Sequence, residues 1–86
     1  MVRKNVALQE GTQAHLDEGV KMGLVDVNLG GDGVPSEVIP FVKDGGEKEF
    51  TLRLGDTFPV GERTWRVERI EEIGTGKLGA VFSRIE

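Results

Sequence analysis

The run Glu47-Lys48-Glu49-Phe50-Thr51-Leu52-Arg53-Leu54 decides how the rest of the chain is read. From Glu49 onward, polar and apolar residues alternate: Phe50, Leu52 and Leu54 fall on one side, Glu49, Thr51 and Arg53 on the other. Successive side chains of an extended backbone point to opposite faces, so this spacing predicts a strand with one face in a core and one in water. Asp44-Gly45-Gly46, just before it, has turn chemistry, because glycine takes up positive φ without a Cβ penalty. Residues 37–43, with Val38, Ile39, Pro40, Phe41 and Val42, then form the other arm of a hairpin. Pro40 has no amide hydrogen, which predicts that this arm lies at a sheet edge or carries a bulge.

The same two signals, alternation and glycine punctuation, extend in both directions. Downstream, Gly55 and Gly61 bracket Phe58 and Val60, a short strand between two turns. Trp65 and Val67 share a phase that shifts to Ile70 and Ile73; an unbroken strand would turn its buried residues outward, so a bulge or strong bend is expected near Glu68 and Arg69. After the turn at Gly74-Thr75-Gly76, Leu78, Ala80 and Phe82 share one phase of the last strand, with Val81 and Ile85 on the other. Upstream, Val6 with Leu8 and Ala14 with Leu16 mark two short strands, and residues 20–29 a longer one that changes phase. Helix-favouring residues between Gln13 and Met22 make a helix the competing reading there. Gly11, Gly19 and Gly23 interrupt it, and strand is preferred. Gly30-Gly31-Asp32-Gly33 is a loop.

The fold class expected is therefore all-β, a small antiparallel β-sandwich or barrel of six to seven strands. Residues 1–86 form a single β-domain, because a chain of 86 residues has material for one core. Several segments carry apolar residues on both phases. Two packed sheets or an interface between chains would cover them; one wet-faced sheet would not.

The formal net charge of −4 makes nucleic acid an unlikely partner on average electrostatics. The acidic excess lies in residues 1–61, with ten acids and six bases, whereas residues 62–86 carry five of each. Cysteine is absent, so no disulfide framework or thiolate metal site is expected, and a reducing, cytoplasmic location fits. No apolar run matches a signal sequence or a membrane span. Cofactors and metals are not expected. His15 is the only histidine and reads as a solvent-facing strand residue, despite Asp17 and Glu18 beside it. Asp32 reads as a turn residue, since calcium needs six to eight oxygens and no glutamate stands at the required spacing. Ser36 and Ser83 lack a nucleophile elbow. Glu71 and Glu72, adjacent on a strand, point to opposite faces.

The most distinctive cluster is Trp65 with Arg63, Arg66 and Arg69, to which Arg53 is added as a further candidate for an anionic ligand. Arginines interleaved with an aromatic ring bind phosphate or acidic partners by forked hydrogen bonds and stacking. The competing reading makes Trp65, in phase with Val67, the anchor of the core.

The stretch Phe50-Thr51-Leu52-Arg53-Leu54-Gly55-Asp56-Thr57-Phe58-Pro59-Val60-Gly61, followed by Thr64-Trp65-Arg66-Val67, resembles a motif of short, uncharacterised actinobacterial proteins of unknown function. The resemblance implies a compact β-domain and brings over no catalytic residue. No catalytic residues are expected. The function expected is a non-catalytic accessory or protein-interaction module, acting through an exposed strand edge or apolar patch on another protein or on a second copy of itself. A small-molecule barrel or minor enzyme holding an anion with its arginines, and an OB- or SH3-like nucleic-acid binder, are the alternatives.

Overall fold

The computed structural model describes residues 5–16 and 19–85. Asp17 and Glu18, the carboxylates beside His15, lie outside the described residues. The described residues hold nine strands and no α-helix. They are β1 (Asn5–Gln9), β2 (Gln13–His15), β3 (Lys21–Asn28), β4 (Glu37–Lys43), β5 (Glu47–Glu49), β6 (Leu52–Arg53), β7 (Thr57–Val60), β8 (Arg63–Glu72) and β9 (Leu78–Arg84). Residues 13–15 are thus strand, not the competing helix. The number exceeds the six or seven expected in part because residues 47–54 are divided, and in part because the short β2 and β7 count as strands of their own.

Two antiparallel sheets pack face to face as a sandwich. The first, sheet A, has the order β1-β9-β8-β7; the second, sheet B, runs β2-β3-β4-β5, with β6 also paired to β4. The chain changes sheet at a corner between β1 and β2. There the Glu10 N–H donates to Leu78 O at 2.9 Å, and the next residue, Gly11, donates to Leu24 O at 2.8 Å. Positive φ at Gly11, 80°, makes that corner.

The inner faces meet in one core. Leu8, Phe58, Val60, Trp65, Val67, Ala80 and Phe82 come from sheet A. Met22, Leu24, Val27, Val38, Val42 and Leu52 come from sheet B, and Val20 joins them from just before β3. Phe58 links the layers: its ring centroid lies 5.6 Å from that of Phe50 and 5.7 Å, edge-on, from that of Phe82. Trp65 is 2 % exposed and belongs to this core.

Pro40 sits in β4, an interior strand, where an edge or a bulge was expected. Leu24, opposite Pro40 on β3, directs its amide and carbonyl away from β4, to Thr12 and Gly11. The missing amide of Pro40 therefore faces β5 and β6. On that side the Phe50 N–H donates to Pro40 O at 3.0 Å, but no return bond is available. The ladder stops at Phe50 and Thr51 and resumes at Leu52, which divides the predicted strand in two. Its last apolar residue also departs from expectation. Leu54 is 61 % exposed, because the chain has already turned at Gly55, whose φ is 88°. Asp56 closes this turn by accepting the Arg53 N–H at 2.9 Å on its carboxylate.

Both phase changes are bulges. On β3 the register with β4 shifts between Leu24 and Asp26, so Val25 is the extra residue. The Val27 N–H donates to the Glu10 carboxylate at 3.0 Å beside it. On β8 the shift falls between Val67 and Arg69, with Glu68 as the extra residue, as the sequence predicts.

With the indole fully inside the core, Trp65→Ala should lower stability by about 3 to 5 kcal/mol in urea unfolding followed by circular dichroism. The single tryptophan of the wild type should emit at short wavelength when folded and shift to the red on unfolding.

Candidate interaction surface

The five residues proposed for an anionic ligand are distributed over different faces. Trp65 points inward, whereas Arg66, its neighbour on β8, points to the outer face of sheet A. There the guanidinium donates to Glu68 Oε1 from Nε at 3.0 Å and from Nη2 at 2.8 Å, and the Ser83 hydroxyl donates to the same oxygen. Ser83 is 1 % exposed, and this cluster satisfies its hydroxyl beside the bulge. Arg69 lies on the same outer face beyond the bulge, opposite Val81. Arg63 is exposed at the start of β8. Arg53 is on sheet B, 3.7 Å from the Glu37 carboxylate. Arg53 also borders an open hollow of about 390 Å³, shared with Pro35, Leu54 and Ile70.

His15 is exposed on β2. Asp32, with φ 50°, and Gly33, with φ 86°, form a two-residue turn closed by Gly31 and Val34, which exchange both backbone hydrogen bonds. Among the described residues no three His, Asp or Glu side chains converge as a metal site would require. No described helix is long and apolar enough to cross a membrane.

The feature that individual residues did not announce is the outer face of sheet B. On β4, Val38, Pro40 and Val42 are buried, and alternation sends Ile39 and Phe41 outward, where they are half-buried. At the bulge, where Ile39 is paired with Asp26, Val25 is the extra residue and is 47 % exposed. Gly23 is paired with Phe41, and the ring lies across it: a Cβ on Gly23 would stand 2.2 Å from Phe41 Cε1 and 2.3 Å from Cζ. The missing side chain is what lets the ring lie flat. Val25, Ile39 and Phe41 thus make an apolar strip along the middle of a sheet face, with no third layer of described elements on it.

Charges frame this strip by cross-strand register. One end row reads His15, Lys21, Lys43, Glu47 across β2, β3, β4 and β5. The opposite end row reads Asn28, Glu37, Arg53 across β3, β4 and β6. Two carboxylates flank the strip itself, Asp26 as the partner of Ile39 and Glu49 as the partner of Phe41. Lys43 Nζ is 3.6 Å from Glu47 Oε2 and 5.9 Å from the centre of the Phe41 ring. Lys21 and Lys43 also share an open hollow of about 390 Å³. The exposed ion pairs contribute little to stability, about 0 to 1 kcal/mol each, so their value lies in the pattern they present.

Residues 3–86 match the family of unknown function DUF6406. The chain belongs to this family. Comparison of this DUF6406 chain with curated proteins returns no match, and comparison with solved structures returns none either.

Gly23→Ala should destabilise the fold by about 1 to 3 kcal/mol, because the methyl displaces the Phe41 ring. In a Phe41→Ala background the same change should cost almost nothing, since alanine is otherwise the better strand residue by about 0.5 to 1 kcal/mol. A double-mutant cycle in urea measures the difference.

Proposed function

We propose that this chain is a non-catalytic interaction module, working in the cytoplasm, that binds a protein chain through the outer face of sheet B. The observation that carries the reading is the strip Val25, Ile39 and Phe41 on a face with no covering layer among the described residues. An aromatic ring held flat by the backbone beneath it, with aliphatic neighbours and a charged rim, has the anatomy of a protein-binding patch.

Three of the four sheet margins favour a face over a strand edge, β1 (Asn5–Gln9) being the uninterrupted exception. β2 has three residues, β5 and β6 are interrupted, and β7 carries Pro59. Each of these devices discourages edge pairing. An anion site is the weaker reading, because it needs guanidinium groups gathered at one depression, and these are spread over both sheets. Nucleic-acid binding would likewise need a continuous basic stripe, and on the outer face of β8 Arg66 and Arg69 alternate with Glu68 and Glu71.

Site-specific photocrosslinking in cells tests the proposal. A photoreactive residue at position 41 should give protein adducts, and one at position 66, on the outer face of sheet A, should give few. Adducts at position 66 with none at position 41 would overturn it.

A further inference from the structure

The frame of charge around the Val25, Ile39 and Phe41 strip is self-complementary, and we infer that the partner it fits is a second copy of this chain, docked face to face about a two-fold axis. The inference rests on the interaction reading given above and names the partner for that same face.

The register supplies the geometry. Lys43 and Glu37 are three residues either side of Pro40 on β4, and Phe41 and Ile39 are one residue either side. A two-fold axis lying in the sheet plane, perpendicular to the strands at the level of Pro40, lays β4 antiparallel on its own copy. It brings Lys43 to Glu37 of the other copy and Phe41 to its Ile39. The neighbouring strands follow the same operation. Glu47 meets Arg53 across the interface, Lys21 meets Asn28, and Asp26 comes to the level of Gly23, where there is no side chain to oppose it.

The end-row charges on β4, β5 and β6 have the sign the operation demands, and Lys21 meets the neutral Asn28. Lys43 and Glu47 form one ion pair at one end, Glu37 and Arg53 the reverse pair at the other. Stacked in opposite sense, the two pairs alternate in sign across four groups. An isologous contact in this orientation needs this inversion of sign from one end of the face to the other. An axis parallel to the strands would instead place Lys43 on Lys43 and Glu37 on Glu37, which repel.

The available area is that of a weak, reversible contact. β3 and β4 run eight and seven residues, but β2, β5 and β6 only three, three and two, so the face covers about 400 Å² at ordinary strand spacings. Two copies then bury on the order of 800 Å², the low end for protein contacts. Packed sheets cross at about 30°, so the pairs on β4, nearest the axis, stay closest. Lys43 with Glu37 is the pair to test.

Charge reversal of the full chain, read by sedimentation from about 10 µM to about 1 mM, provides the test. The wild type should show a concentration-dependent monomer–dimer equilibrium that weakens with added salt. Lys43→Glu and Glu37→Lys should each weaken self-association on the order of tenfold or more by placing like charges together. The two variants mixed in equal amounts should recover a heterodimer, and the double variant K43E/E37K should recover the homodimer. A wild type that stays monomeric across the range would overturn the inference; so would folded single variants that dimerise as the wild type does, or a mixture that fails to recover. Monomeric wild type together with adducts from position 41 to another protein would sink the self-pairing and leave the interaction reading standing.

Discussion

The rest of the structure depends on strand β4, which occupies the middle of sheet B and is apolar on both of its faces. Alternation commits Val38, Pro40 and Val42 to the interior and leaves Ile39 and Phe41 no choice but the outside. A slip of one residue would exchange these sets and place a phenylalanine where valine-sized residues pack. The register is held from both sides: by β3, whose glycine receives the Phe41 ring, and by β5 and β6, whose interruption faces the amide that Pro40 lacks. Proline in an interior strand is tolerated here because its missing donor is directed at one pair only.

A domain of this size has few ways to hide its apolar residues. The sandwich encloses one core, with Trp65 and the series Phe50, Phe58 and Phe82 joining the two sheets. What remains on the outside is not scattered evenly. The outer face of sheet A is polar, with Arg66, Glu68 and Ser83 in one hydrogen-bonded group, whereas the outer face of sheet B holds an apolar strip between two rows of mixed charge. The two outer faces therefore have different chemistry, and only the second resembles a surface from which another protein would exclude water.

Much of this was legible in the residues and some of it could not be. The hairpin around Asp44-Gly45-Gly46, the bulge at Glu68 and the inward phase of Trp65 follow from local rules, namely turn chemistry and strand period. The division of residues 47–54 does not, because it originates in Pro40, on the neighbouring strand, and is visible only once the two are paired. The exposure of Leu54 was hidden likewise, since a period-two pattern says nothing about where pairing ends. The choice between sandwich and barrel depended on the corner at Glu10 and Gly11, two residues that hydrogen-bond to different sheets. The candidate surface was foreshadowed by apolar residues on both phases of β4. Its platform and frame unite Gly23 with Phe41 and bring Lys21, Lys43 and Glu47 into one row from three different strands, a juxtaposition that spacing along the chain does not encode. Attention to Trp65 and the arginines followed local density of chemistry, and the fold separates those residues by turning alternate ones to opposite faces.

Phe41 lies outward on Gly23 and not inward with the core. Proton NMR reads this directly through the ring current of the phenylalanine. The account requires the Gly23 α protons to be shifted strongly upfield, with nuclear Overhauser effects from them to the Phe41 ring. Unshifted Gly23 protons, with Overhauser effects from the Phe41 ring to Val67 and Phe82 instead, would contradict it.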